Sequence, residues 1–249
     1  RDRYDEASPP LLAISKQLQR SITRQLQDQR RGGKQTGLYM GRRLDIHSLP
    51  RNDGRVFSKM SLPNETPELA LALLLDESGS MGCGSRATYA RASAIILYDF
   101  CQSLGIPVMV YGHSAYSGVE LYSYAEFDSI DKLDRYRLMD ISARGNNRDG
   151  AALRFVAEQL AKRPEDIRLL ILVSDGQPAD SGYYGTAAEE DLRGIKTEYR
   201  RKGICFVAAA IGDDKDSIER IYGDAYMDIS DLHTLPITLT NVVKRFIRT

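Results

Sequence analysis

Apolar positions recur at two different rhythms along this chain of 249 residues. Near the start, Leu11, Ile14, Leu18, Ile22 and Leu26 follow one another at three- and four-residue spacing, with Gln, Arg, Lys and Ser on the other positions. That spacing predicts an amphipathic helix over residues 9–31, opened by Pro9 and Pro10 in a first turn and stopped by Gly32-Gly33. Residues 32–54 show no apolar period; Gly37, Gly41, Pro50 and Asn52-Asp53-Gly54 read as loop and turn. A short strand is expected over 55–62, and Pro63-Asn64-Glu65-Thr66-Pro67 reads as a boundary. Two parts result: a basic helix with an extended segment over 1–66, and a domain over 67–249.

In the second part, continuous apolar runs of strand length alternate with helical patterns. Strands are expected over 69–75, 107–111, 119–124, 167–174, 203–211 and 225–229. Helices are expected over 87–104, 128–139, 150–162, 187–202, 216–222 and 232–248. Such alternation indicates βαβ units, and near-continuous apolar strands fit burial on both faces. The expected fold is α/β: a doubly wound, mostly parallel six-stranded sheet carrying an N-terminal helical and extended extension. The loop between 107–111 and 119–124 is too short for a parallel crossover, so 119–124 is expected as an antiparallel edge.

Composition narrows the class. Hydrophobic residues make up 42% and charged residues 27%, ordinary values for a globular chain. Lys plus Arg and Asp plus Glu are both 34, which argues against a general nucleic-acid binder. The balance hides an asymmetry: bases outnumber acids 13 to 7 in residues 1–66, and acids outnumber bases 27 to 21 in the rest. No apolar run approaches the roughly 20 residues of a membrane span, so no membrane partner is expected. The chain opens on Arg1 with no visible signal peptide, which reads as part of a longer protein. Cys83, Cys101 and Cys205 are odd in number and lack C-x-x-C spacing, so a reducing cytoplasm is the simplest compartment.

Open parallel sheets place ligands beyond the carboxyl ends of their strands. Three polar clusters fall there or at the start of a helix: Asp76-Glu77-Ser78-Gly79-Ser80-Met81, Gly145-Asn146-Asn147-Arg148-Asp149-Gly150, and Ser174-Asp175-Gly176-Gln177-Pro178. Their carboxylates and hydroxyls are hard oxygen ligands suited to Mg²⁺, Mn²⁺ or Ca²⁺. Alternate residues of an extended loop point the same way, so Asp76, Ser78 and Ser80 can converge on one ion. A polar turn with a helix cap explains the first cluster taken alone; three clusters at strand ends favour the metal.

The first cluster resembles the opening segment of the metal-ion-dependent adhesion site of von Willebrand factor type A domains, and the resemblance covers residues 67–249. It implies that Asp76, Ser78 and Ser80 are metal ligands and that Asp175, in Val173-Ser174-Asp175-Gly176, is another. Asn147 stands where the family has a Thr, and Asp149 lies two residues on, so either is the expected ligand of the second segment. Asn147 to Arg154 is similar to the version in cobalt-chelatase T subunits and nitric oxide reductase activation proteins of the NorD type. Gly41-Arg42-Arg43-Leu44-Asp45 and Arg55-Val56-Phe57 extend that similarity to about residue 41. The resemblance implies a six-stranded order 3-2-1-4-5-6. It also implies a divalent ion, Mg²⁺ first with Mn²⁺ or Ca²⁺ as alternatives. The expected partners are a protein offering an Asp or Glu carboxylate and an AAA+ ATPase that helps activate or metallate a client enzyme.

Catalysis has less support. His113 is the one histidine expected near the ligand edge, and it reads as a polar loop or capping residue; His47 and His233 are more remote. Ser78 and Ser80 lack a recognisable Ser/His/Asp order, and no G-x-x-x-x-G-K-[ST] loop occurs. The expectation is a binding module, with a metal-dependent hydrolase as the alternative. If Asp149 binds the ion directly, the site carries a formal charge of −1 and pulls less on an acidic ligand. Asp149 is therefore expected either to support the site, paired with Arg148 or a water, or to bind the ion directly and give a site of reduced adhesive strength. The basic stretch 30–43 reads as a solvated loop or a dock for the acidic remainder, and Tyr183-Tyr184 as an exposed loop.

Overall fold

The computed structural model describes residues 1–30, 34–41, 43–51, 54–60, 68–131, 133–176, 178–212 and 215–247. The expected helix stop at Gly32-Gly33, the turn residues Asn52-Asp53 and the boundary Pro63 to Pro67 lie outside these.

In chain order the elements are α1 (Asp2–Arg30), β1 (Lys34–Leu38), β2 (Arg43–Leu44), β3 (Phe57–Met60), β4 (Leu69–Asp76), α2 (Arg86–Leu104), β5 (Val108–Ala115) and β6 (Val119–Ala125). They continue with α3 (Asp134–Arg137), α4 (Asp149–Ala161), β7 (Ile167–Ser174), β8 (Ala179–Asp180), β9 (Tyr183–Tyr184) and α5 (Gly185–Arg201). The last are β10 (Ile204–Ala210), α6 (Lys215–Tyr222), β11 (Tyr226–Asp228) and α7 (Leu235–Ile247). The main sheet has six strands in the order β11-β10-β7-β4-β5-β6. Every pairing in it is parallel except β5 with β6. Both the expected order and the antiparallel edge are found.

The buried strands explain themselves by alternation. Leu69, Leu71, Leu73 and Leu75 of β4 enter one core with α1, α2 and α7, while Ala70, Ala72 and Leu74 enter a second core with α4, α5 and α6. Strand β7 divides the same way, Leu169, Ile171 and Val173 to the first core and Leu170 and Leu172 to the second. A sheet covered on both faces has no room for polar side chains until its strands end, so polarity concentrates at the strand termini. The switch point of the winding lies between β4 and β7, and Asp76 and Ser174 are their last residues.

Three expectations are corrected. Helix α1 begins at Asp2, not at Pro9, with both prolines inside it. Tertiary contact carries the extra turns: Tyr4 is buried edge-on against Tyr136 at 5.4 Å, and Ser8 is buried. Residues 32–54 are not all loop: β1 and β2 flank β3 in a small antiparallel sheet, and residues 46–51 form a 3₁₀ helix. The polar strand Lys34-Gln35-Thr36-Gly37-Leu38 lacks the alternation that would have revealed it. The helix expected over 128–139 shrinks to α3 and a 3₁₀ turn over 138–140.

The apolar face of α1 is buried, with Leu18 and Ile22 fully inaccessible. It packs on α2 and α7, and Ser15 Oγ donates to Asp99 Oδ2 of α2 at 2.6 Å. Among the described residues no helix is long and apolar enough to cross a membrane.

Candidate metal centre

Strand β4 ends by delivering Asp76 to the carboxyl edge of the sheet, and the chain then turns through residues 77–82. Three backbone bonds fix this turn: Glu77 N–H donates to His113 O at 2.9 Å, Gly79 N–H to Gly145 O at 2.6 Å, and Arg144 N–H to Glu77 O at 2.6 Å. The second cluster is held between the end of β5 and the residues before β9. Asn146 and Ala115 exchange backbone bonds of 2.8 and 2.9 Å, and Ala179 N–H donates to Asn147 O at 3.2 Å.

Side chains from all three clusters meet here. Asp76 Oδ1 accepts from Ser78 N–H at 2.8 Å, and its Oδ2 accepts from Asn147 Nδ2 at 2.7 Å and from Ser174 Oγ at 3.0 Å. Ser78 Oγ and Ser80 Oγ are 2.9 Å apart, and Ser80 Oγ donates to Asp175 Oδ1 at 2.9 Å. Asp76, Ser78, Ser80, Asn147 and Asp175 thus form one linked set, and all but Ser80 are buried. Asn147 Oδ1 is buried without a hydrogen-bond partner. An orphaned buried amide oxygen is costly and calls for a cation or a donor. Among the described residues no three His, Cys, Asp or Glu gather as a metal cage. The oxygens available are instead two carboxylates, two hydroxyls and this amide, a hard donor set that fits Mg²⁺, Mn²⁺ or Ca²⁺.

Asp149, at the start of α4, is placed differently. Its Oδ1 lies 3.1 Å from His113 Nε2, an ion-pair distance without hydrogen-bond alignment. Two expectations change. His113 is not a loop or capping residue but a fully buried member of β5. Asp149 pairs with His113 and not with Arg148, whose Nε lies 2.9 Å from Asp180 Oδ2. Helix α4 begins at Asp149, so its carboxylate also sits in a first turn that favours negative charge.

The electrostatics follow from burial. The Asp76 carboxyl is raised to about 6, chiefly by desolvation and then by the charge of Asp149, against the opposing pull of His113 and the Ser78 N–H. Desolvation acts to lower His113, but contact with Asp149 and the charges of Asp149, Asp76 and Glu77 outweigh it, and the net direction is up.

Glu77 of the first cluster and four residues singled out by no sequence pattern, Gly112, Tyr124, Arg144 and Arg86, build the surroundings. Glu77 points to the opposite face from Asp76, where Tyr124 Oη donates to it at 2.6 Å and Arg144 Nε at 2.7 Å. Its carboxylate lies against Gly112, where any Cβ would stand 1.8 Å from Oε1. Arg86, the first residue of α2, donates from Nη1 to Asp175 Oδ2 at 2.8 Å. Neither serine hydroxyl contacts a histidine: Ser78 meets Ser80, and Ser80 meets Asp175.

This fold and site define a class. The family model for the von Willebrand factor type A domain matches residues 70–229, and the chain belongs to that family. Among curated relatives it is similar to YojO of Bacillus subtilis, 22% identical over 98% of this chain and 40% of that protein. It is also similar to NorD of Brucella melitensis, 25% identical over 70% of this chain and 25% of that protein. The chain therefore spans well under half the length of these relatives. Among solved structures, manganese-loaded TRAP of Plasmodium vivax aligns with a TM-score of 0.52 and 18% identity, over 73% of this chain and 74% of that one. Proximal thread matrix protein 1 from the mussel byssus, with zinc in its MIDAS motif, aligns with a TM-score of 0.52 and 18% identity, over 71% and 47%. Those two likenesses show the shared fold.

Proposed function

We propose that this chain is a metal-dependent protein-interaction module, and that Asp76, Ser78, Ser80, Asp175 and Asn147 Oδ1 hold one divalent cation. The observation that carries the reading is the convergence of two strand-end segments and the segment that opens α4 on one linked set of hard oxygens, with a buried amide oxygen left unsatisfied. When bound, the ion would supply Lewis-acid attraction for an incoming carboxylate. This chain's residues orient it: Ser80 and Arg86 hold Asp175, and Asn147 and Ser174 hold Asp76. Asp149 stays in support, engaged with His113, which keeps the formal charge of the ligand set from becoming −1. Two fold neighbours, one manganese-loaded and one with a zinc-occupied MIDAS, support a divalent ion; Mg²⁺ is the abundant candidate.

The similarity to NorD, of which the chain covers 25%, supports a place in a longer protein, and the location we propose for it is the cytoplasm. Its resemblance group implies work with an AAA+ ATPase to activate or metallate a client enzyme through an Asp or Glu that the partner offers. The test is a pull-down from lysate with wild type and Asp76→Asn, each with Mg²⁺ and with EDTA. A partner retained only by wild type with Mg²⁺, and identified as an ATPase or its client, supports the reading. Equal retention in all four arms overturns it.

A further inference from the structure

Arg86 was in no expected ligand set, yet the fold builds a place for it. Its guanidinium lies over Gly212, where a Cβ would stand 2.6 Å from Nε and 3.0 Å from Cζ. Gly212 has φ +91, a conformation that excludes most side chains in any case. From there Nη1 reaches Asp175 Oδ2 at 2.8 Å, while Ser80 Oγ occupies Oδ1. Asp175 is 4% exposed and Arg86 20% exposed, so the pair is sheltered with one side open. The open side is a groove of about 530 Å³, lined among others by Gly84, Ser85, Arg86, Tyr89 and Gly212.

From this geometry we infer that Arg86 is a specificity-determining charge: it weakens the grip on the metal ion and strengthens the attraction for the carboxylate that completes the site. The inference rests on the metal-site reading above. Two carboxylates and a divalent ion sum to zero formal charge, and a guanidinium bonded to one of those carboxylates adds a positive charge beside them. The same charge repels the ion and attracts the incoming anion. Loss of Arg86 also removes one hydrogen bond from Asp175, but Ser80 still holds the other oxygen, so the charge decides the sign. An ion of charge two feels Arg86 twice as strongly as a carboxylate at similar distance. The shift in metal affinity is therefore about twice the carboxylate shift on a logarithmic scale, and opposite in direction.

The experiment uses the whole chain with Mn²⁺ as the metal and acetate as the carboxylate probe, at constant ionic strength. Mn²⁺ affinity comes from calorimetry, and acetate binding from the loss of water-proton relaxation as acetate displaces water from the bound Mn²⁺. Arg86→Gln is expected to bind Mn²⁺ about tenfold more tightly and acetate about threefold more weakly. Arg86→Met gives a second neutral replacement should the glutamine variant not fold. Arg86→Lys, which keeps the charge and loses the planar fork, is expected to match wild type within about twofold on both constants. Neutral variants that leave both constants unchanged, or that weaken both together as a merely structural residue would, overturn the inference. Asp76→Asn separates the two levels of argument. If it abolishes Mn²⁺ binding while the Arg86 variants are silent, only this inference fails; if it binds Mn²⁺ like wild type, the metal site fails as well.

Discussion

Asp76 has two opposing duties, and a single substitution separates them. As a buried carboxylate beside Asp149 it is costly to ionise: its pKa is raised from 3.8 to about 6. As the acceptor of three hydrogen bonds it organises the site. In the metal-free protein a raised carboxyl pKa means that the folded state binds the proton more tightly than the unfolded state. Stability therefore falls as pH climbs between about 4 and 6 and stays low above that window. About two pKa units correspond to about 3 kcal/mol. Asp76→Asn removes that penalty and keeps the size of the side chain. Its carbonyl oxygen can still accept from Asn147 and Ser174, but its NH₂ then faces the Ser78 N–H, a mismatch costing about 1.5 kcal/mol.

The net expectation above pH 7, in EDTA, is a gain of about 1–2 kcal/mol, or about 2–8 °C in melting temperature for a domain of this size. Near pH 4 the penalty is mostly absent in wild type, the mismatch remains, and the variant melts lower. Saturating Mn²⁺ then reverses the ranking. At 100 times its dissociation constant the ion adds about 2.7 kcal/mol to wild type and nothing to the variant. Thermal unfolding of both proteins at pH 4 and 7.5, and at pH 7.5 with and without Mn²⁺, reads all of this. Melting curves that run parallel with pH, or an equal response to Mn²⁺, would refute the reasoning.

Other consequences are simpler. Gly112→Ala drives a Cβ into the Glu77 carboxylate and against the Tyr124 ring, and should cost about 1–3 kcal/mol in urea unfolding. Leu18→Ala empties a fully buried position between α1 and its neighbours; it should cost about 2–5 kcal/mol and speed hydrogen exchange along α1. A disulfide reagent added to the native protein should titrate one thiol rapidly, the exposed Cys83. Cys101 is fully buried with its thiol pushed well up by desolvation, and Cys205 is pushed up to about 12, also mainly by desolvation.

The sheet was legible because burial on two faces leaves a strong trace: runs such as Leu69-Ala70-Leu71-Ala72-Leu73-Leu74-Leu75 have few alternatives to a central strand. The meeting of Asp76, Ser78, Ser80 and Asp175 was legible for a related reason, since polar residues at the ends of such runs have nowhere else to go, whereas the sequence leaves the choice between Asn147 and Asp149 open. What escaped was anything whose meaning lies in a long-range partner. Tyr4 starts α1 early because of Tyr136, and β1 exists because β3 pairs with it. His113 looks like a loop residue from its neighbours and becomes a buried ion-pair partner only because α4 brings Asp149 to it. Arg86 gives no local signal at all. Its role depends on Gly212, 126 positions away, keeping space for a guanidinium.

The departure at Asn147 and the buried Asp149–His113 pair are best understood together. A hydroxyl at position 147 would offer one oxygen and one proton. The amide offers more: Nδ2 donates to Asp76 at 2.7 Å and orients that carboxylate, while Oδ1 stays buried and unsatisfied. One neutral residue thus both positions a charged ligand and presents an oxygen of its own, with no charge added. Asp149, two residues later, would have added a negative charge had it turned the same way. Its Oδ1 lies 3.1 Å from His113 Nε2, and at Asp76 the two act in opposite directions, Asp149 the more strongly. The difference contributes to the raised pKa of Asp76. The two features therefore act in one direction, keeping the oxygen donors many and the negative charges few. Arg86 on Asp175 extends the same bias, and it is the bias that the proposed partner carboxylate would require.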